Sequence, residues 1–165
     1  MALTGTELAT FAAGCFWGVE AKFAALPGVH RAVSGYTGGA YPDPTCETVC
    51  HQAKDDLNGH AEAVAVTFDP SVISYEQLLG VFWKLHDPTQ LNRQGPDVGA
   101  QYRSAIFTHT SEQAAIASAS KLALEQQLGK PVVTQIIAAG VFYEAEDYHQ
   151  QYYAKKGILV PSCGL

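Results

Sequence analysis

Charge is scarce in this sequence: 16% of its 165 residues are charged, and no run of lysines or arginines occurs. The 16 acidic and 10 basic side chains leave a formal net charge of −6, which argues against nucleic acid or an anionic membrane surface as the main partner and favours a small or protein substrate. No segment reaches the roughly 18 apolar residues of a membrane span. Met1 to Glu7 shows no basic region followed by an apolar stretch and a cleavage site, so a cytoplasmic protein is expected. Internal repeats and low-complexity tracts are also missing, which excludes solenoids and arrays. Cysteine is sparse and irregular. Cys15, Cys46, Cys50 and Cys163 do not read as the framework of a disulfide-stapled secreted domain, and in a cytosolic chain they point to reactive thiols or a metal site.

What is present is apolar material, 47% of the residues, enough to bury one sizeable core and too little chain for two ordinary domains. A single domain over 1–165 is expected, with 157–165 as a C-terminal tail. Leu8 to Ala13 reads as a short buried strand. Phe16, Val19, Phe23 and Leu26 then recur at helical spacing, and the chain turns at Pro27-Gly28. Val29 to Tyr36 reads as a second strand, followed by a loop from Thr37 to about Gly59 in which glycine and proline preclude regular structure. A strand covers Ala61 to Phe68. Ser74-x-x-Gln77 has the form of a capping box opening a helix through Leu85, which Asp87-Pro88 ends. Further strands are expected at Ser104 to Thr108 and Val132 to Ala138, with a helix from Ser111 to Leu128 ended by Gly129. A last amphipathic helix is expected from Glu144 to Lys156. Few strands and long loops favour one mixed sheet covered mainly on one face by helices.

Gly14-Cys15-Phe16-Trp17-Gly18 places a thiol between strand and helix, where unpaired N–H groups and the macrodipole favour the thiolate, the nucleophilic form. An ordinary thiol is only roughly 3 per cent ionised at pH 7, so a lowered pKa would raise its reactivity severalfold. Phe16 and Trp17 could line a recess for a small apolar group such as an S-methyl. The bland alternative is a buried structural cysteine beside core aromatics. Glu62 lies among small and apolar residues, where desolvation would keep a carboxyl protonated near neutrality. Alternation alone does not say which face of its strand is buried.

Five further segments accompany the cysteine motif in order: Pro27-Gly28-Val29, Gly35-Tyr36-Thr37-Gly38-Gly39, Gly59-His60-Ala61-Glu62, Asp97 to Ser104, and Phe142-Tyr143-x-Ala145-Glu146-x-Tyr148-His149-Gln150. Together they resemble the A-type peptide methionine sulfoxide reductases from about residue 9 to about residue 156. The resemblance implies an α+β two-layer sandwich with a ferredoxin-like core and long active-site loops. It also implies thiol-dependent reduction of the S epimer of methionine sulfoxide, free or in proteins. In that scheme Cys15 is the nucleophile, Glu62 the general acid, and Phe16 and Trp17 bind the substrate, while Asp97 positions water and Tyr102 hydrogen-bonds the sulfoxide oxygen. A sulfenic acid on Cys15 is resolved by a second thiol, for which Cys163 in the tail and Cys46 are the candidates. Thioredoxin or a similar dithiol recycles the enzyme, no metal or organic cofactor is required, and the chain is expected to be a monomer.

The chief departure is at Cys46. The family usually carries a tyrosine after the Asn/Asp-Pro-Thr segment, whereas here Asp43-Pro44-Thr45 is followed by cysteine. One donor to the developing oxyanion is then missing, and such donors are worth roughly 2.7–4 kcal/mol. His51 to Asn58 also makes a longer stretch than usual before Gly59. Cys50 reads as a buried thiol, with a zinc site formed by Cys46, Cys50, His51 and His60 as a remote alternative. Glu146, Asp147, Tyr148, His149 and Tyr152 either buttress the site or form a solvated acidic face. Two rivals remain: a peroxide-reducing thiol protein, and a non-catalytic zinc or redox-sensing module.

Overall fold

Residues 5–56 and 58–157 are described by a computed structural model of the chain. The strands are β1 (Glu7–Ala13), β2 (Val29–Thr37), β3 (Ala61–Phe68), β4 (Arg93–Gln94), β5 (Asp97–Val98), β6 (Ser104–Thr108), β7 (Gln135–Ala138) and β8 (Tyr143–Glu144). The helices are α1 (Phe16–Ala24), α2 (Cys46–Cys50), α3 (Tyr75–Leu85), α4 (Ser111–Leu128) and α5 (Tyr152–Lys155). The succession β1-α1-β2-β3-α3-β6 builds antiparallel strands in the spatial order β6-β1-β3-β2, the arrangement of a ferredoxin-like α+β core. β7 extends it in parallel beside β6, and β8 pairs antiparallel with β2, so the sheet is mixed.

Apolar side chains on alternate strand positions fix the two faces of the sheet. Phe11, Val64, Val66, Phe68 and Ile106 point to one side and pack with Phe23 of α1 and with Leu78 and Phe82 of α3. At the centre, Phe11 stacks on Phe23 at 5.0 Å and on Phe82 at 5.2 Å between ring centroids. Phe11→Ala is therefore expected to cost about 3–5 kcal/mol, read as a lowered urea midpoint. The opposite face is lined by Ala12, Ala63, Ala105 and Phe107 and is closed by Phe142 and Ala139. β3 is thus buried on both sides over its first four residues, which is why its alternation was ambiguous. Glu62 shares the parity of Val64 and faces the helices.

Three segments differ from expectation. The stretch 37–59 contains α2, whose N-terminus is fixed by a reciprocal capping box between Thr45 and Thr48. The strand expected from Val132 begins at Gln135, because Val133 N–H donates to the Pro88 carbonyl and the Thr134 hydroxyl bonds that of Ser104. Glu144 to Lys156 is not one helix. It comprises the end of β8, a 3-10 turn over Asp147–His149, and α5 after Gln151 in the left-handed region at φ 52. Long-range bonds take over here: the Gln150 side chain binds Ser34 N–H and C=O, and Gln151 N–H donates to Glu20.

Candidate active site

β1 delivers the chain to Gly14, whose φ of +92 turns it toward α1 and where a Cβ would meet the Gln94 side chain at 3.0 Å, so a larger residue there would be strained. Cys15 follows as the N-cap of α1. The first N–H groups of a helix have no intrahelical acceptor. Phe16 N–H donates to Glu62 Oε1 at 3.2 Å, and the Trp17 N–H favours the Cys15 thiolate electrostatically without forming a side-chain capping bond.

Electrostatics correct the sequence-based expectation of an acidified thiol. Burial pushes Cys15 up to about 11; the Trp17 N–H acts downward, but the Glu62 and Asp97 carboxylates push upward again. One helix N–H does not offset desolvation beside two acids. Glu62 itself, 8% exposed, is raised by burial to about 7, with the Phe16 N–H opposing and Asp97 reinforcing the shift. Near neutrality the pair is therefore a thiol beside a carboxyl that is about half protonated. Tyr102 is pushed up to about 12 by burial and by Glu62 and Asp97, so its phenol remains a donor.

The raised Glu62 pKa has a stability consequence. The folded state binds the proton more tightly than the unfolded chain, so stability falls as pH rises from the ordinary value of 4.5 through 7. Glu62→Gln removes that cost, and the variant is expected to exceed the parent by up to about 3 kcal/mol above pH 7 and by little below pH 4.5. Paired denaturation curves at pH 4 and pH 8 measure this.

Long-range hydrogen bonds position the remainder of the site. Trp17 Nε1–H donates to His149 Nδ1 at 2.9 Å, and the indole stacks on Tyr152 at 3.8 Å and 7°. That bond places the proton of neutral His149 on Nε2, a buried atom with no hydrogen-bond partner among the described residues. Glu146 accepts from the Tyr36 hydroxyl and from Cys46 N–H, both at 2.9 Å, which ties α2 to the turn after β8. Arg103, bonded to Gln135 and to the Ala100 carbonyl, anchors the segment carrying Asp97 and Tyr102.

These elements enclose a cavity of about 220 Å³ lined by Cys15, Phe16, Trp17, Cys46, Glu62, Asp97 and Tyr102, and also by Tyr36, Val49, Cys50 and His149. It is below the roughly 300–1,000 Å³ of drug-sized ligand sites and suits a single side chain. A larger hollow of about 670 Å³ beside α1 and β2 contains no cysteine and none of these candidates.

Residues 7–162 match the sequence model of the family described as peptide methionine sulfoxide reductase. The chain belongs to that family. It is 57% identical over 157 residues to the peptide methionine sulfoxide reductase MsrA of Methanosarcina acetivorans, covering 94% of this chain and 81% of that protein. Among solved structures, Mxr1 from Saccharomyces cerevisiae in reduced form superposes with a TM-score of 0.84 at 32% identity, covering 97% of this chain and 92% of that one. Methionine sulfoxide reductase A of Corynebacterium diphtheriae gives 0.82 at 34% identity, covering 99% and 82%.

Within this family member, the sequence-derived candidates other than Cys163 meet at one cavity; Cys163 lies outside the described residues. Cys50, expected to be a buried thiol, is exposed and lines the cavity. His60, weighed above as a zinc ligand, has both ring nitrogens engaged, Nδ1 by Gly39 N–H and Nε2 by the Tyr41 carbonyl. Tyr36 escaped notice as a cavity residue although it falls in a quoted motif, and His149, weighed above as a buttress of the site, lines the cavity itself. Nothing in their spacing announces a partner more than 100 residues away.

Proposed function

We propose that this family member reduces the S epimer of methionine sulfoxide to methionine, with Cys15 as nucleophile and Glu62 as general acid. The observation that carries this reading is the meeting of two groups at the α1 N-terminus: Cys15 is its N-cap, and the Phe16 N–H that follows holds a carboxyl half protonated at about pH 7, both lining one cavity. Sulfur–oxygen cleavage needs a nucleophile on sulfur and a proton on oxygen at the same moment.

The Cys15 thiolate attacks the sulfoxide sulfur while Glu62 protonates its oxygen. The oxygen and the Glu62 proton pass to Cys15 as a sulfenic acid, methionine leaves, and Glu62 remains as the carboxylate that takes the proton of the Cys15 thiol in the next cycle. Tyr102 donates to the oxygen and Asp97 positions water, while the methyl group lies against Phe16 and Trp17. Trp17 is suited to this role because His149 and Tyr152 hold its ring. Cys46, which stands where the family usually has tyrosine and lines the cavity, resolves the sulfenic acid to a disulfide with loss of water; Cys163 is the other candidate. Mxr1 is known in complex with Trx2, and a dithiol of that class is the reductant proposed here, acting in the reducing cytoplasm. All electrons of the cycle come from thiols, so it calls for no prosthetic group.

The test is dithiothreitol-driven turnover of the separated S and R epimers of a capped methionine sulfoxide. Methionine from the S epimer alone is expected. Equal turnover of both epimers, or reduction of hydrogen peroxide in preference to either, would overturn the reading.

A further inference from the structure

α1 and β2 share one seam, and the cavity that holds Cys15 occupies only one end of it. Phe16 and Tyr36 line that cavity. One turn further along α1 and two residues back along β2 stand Glu20 and Ser34, bonded to each other at 3.3 Å. Here lies the hollow of about 670 Å³, within the roughly 300–1,000 Å³ of small-ligand sites. Its walls include the small apolar side chains Ala21, Ala24, Ala32 and Val33, and it is bordered by the turn that carries Gln150 and Gln151.

Glu20 is the buried charge of this hollow. The residue is 2% exposed, and burial raises its carboxyl above the ordinary value against the opposing pull of its hydrogen bonds. Ser34 Oγ–H and Gln151 N–H both donate to Oε1. Oε2 accepts from none of the described residues and yet is not one of their sealed, partnerless atoms, so it opens onto the hollow that Glu20 lines. Among the described residues no basic side chain forms an ion pair with it. Lys155 acts on it from a distance, while its Nζ donates to the Asp147 carbonyl at 2.7 Å. Arg31, on the lining, is engaged by Glu144 at 3.8 Å. A carboxylate withdrawn from water is costly unless a cation or donors compensate it, and one of the two oxygens here is uncompensated.

We propose that this hollow binds a primary ammonium ion carried on a short apolar stem, as in a lysine side chain or a small aliphatic amine, with Glu20 as its counter-ion. The inference is independent of the chemistry assigned to Cys15. An ammonium has three N–H donors; one reaches Glu20 Oε2 in a charge-assisted bond, and the stem covers the alanines of α1 and β2. The bonds from Ser34 and Gln151 to Oε1 stay in place.

Isothermal titration of the whole chain with butylammonium chloride tests this, with butanol and ammonium chloride as controls for the charge and the stem. One saturable site per chain is expected for butylammonium, at least about tenfold tighter than either control. Glu20→Gln keeps an oxygen for Ser34 and Gln151 and is expected to weaken butylammonium by at least about tenfold. Ala24→Phe changes an exposed residue at the end of α1 and places a ring in the hollow. It is expected to abolish binding at an unchanged melting temperature, and it decides the matter if Glu20→Gln does not fold. Nα-acetyl-lysine amide separates the two sources: tighter binding than butylammonium assigns the hollow to a protein lysine, weaker binding to a free amine. No saturable heat, equal affinity for butanol, or unchanged affinity in Ala24→Phe overturns the proposal.

Discussion

Replacing Cys15 by serine is expected to reduce turnover of the S epimer by a factor of about 10⁴ or more while leaving the fold as stable as before or slightly more so. A serine hydroxyl is a far weaker nucleophile toward sulfur and cannot carry the oxygen away as a sulfenic acid. The structural side of the prediction follows from the helix end. Cys15 occupies the N-cap of α1 without a side-chain capping bond, and serine is among the preferred N-caps, worth roughly 0.5–2 kcal/mol over a non-capping residue. Loss of activity with an unchanged or raised melting temperature separates removal of the nucleophile from general damage. Loss of both would mean that Cys15 is a packing residue.

Glu62→Gln should change the pH profile as well as the rate. In kcat/KM the free enzyme must present a thiolate and a protonated carboxyl together. With Cys15 at about 11 and Glu62 at about 7, the productive form is the minor one in which each proton sits on the less basic group. Below pH 7 the carboxyl is mostly protonated and the thiolate fraction grows tenfold per unit, so the rate rises with a slope of one. Above pH 7 that growth is cancelled by equal loss of protonated Glu62, so the profile levels. Glu62→Gln is expected to lose about 10²–10⁴ at pH 6, the usual contribution of a positioned acid, and its profile should continue upward past pH 7. The deficit then narrows by about tenfold per unit toward pH 9. A variant with the parent's plateau would show that another group sets the break at pH 7.

Strong local signals in the sequence were enough for the core and for the centre of the site. Helical spacing of Phe16, Val19 and Phe23, the Ser74-x-x-Gln77 box, and Gly129 after a long helix all describe bonds made within a few residues, and each reappears in the structure. Cys15 and Glu62 stood out because a quoted motif surrounds each. The environment of the thiol was misread, since its electrostatics depend on burial and on Asp97, neither of which can be computed from the residues around it. α2 was missed because five residues give no measurable periodicity among the neighbouring prolines and glycines. The 3.6-residue spacing of the segment from Glu144 to Lys156 suggests a helix. Its path is instead dictated by Gln150 and Glu146 bonding to Ser34, Tyr36 and Cys46, partners brought near only by the folded sheet. For the same reason Cys50 and Tyr36 are visible as cavity residues only in three dimensions.

The central claim is that Cys15 alone removes oxygen from the sulfoxide. A variant carrying Cys46→Ser, Cys50→Ser and Cys163→Ser retains that single thiol, so its single turnover without reductant tests the claim most directly. One methionine per chain from the S epimer, with a sulfenic acid trapped by dimedone on the peptide containing Cys15, is the predicted result. Methionine yield near zero from a folded variant, or a yield with no label on Cys15, would contradict the account.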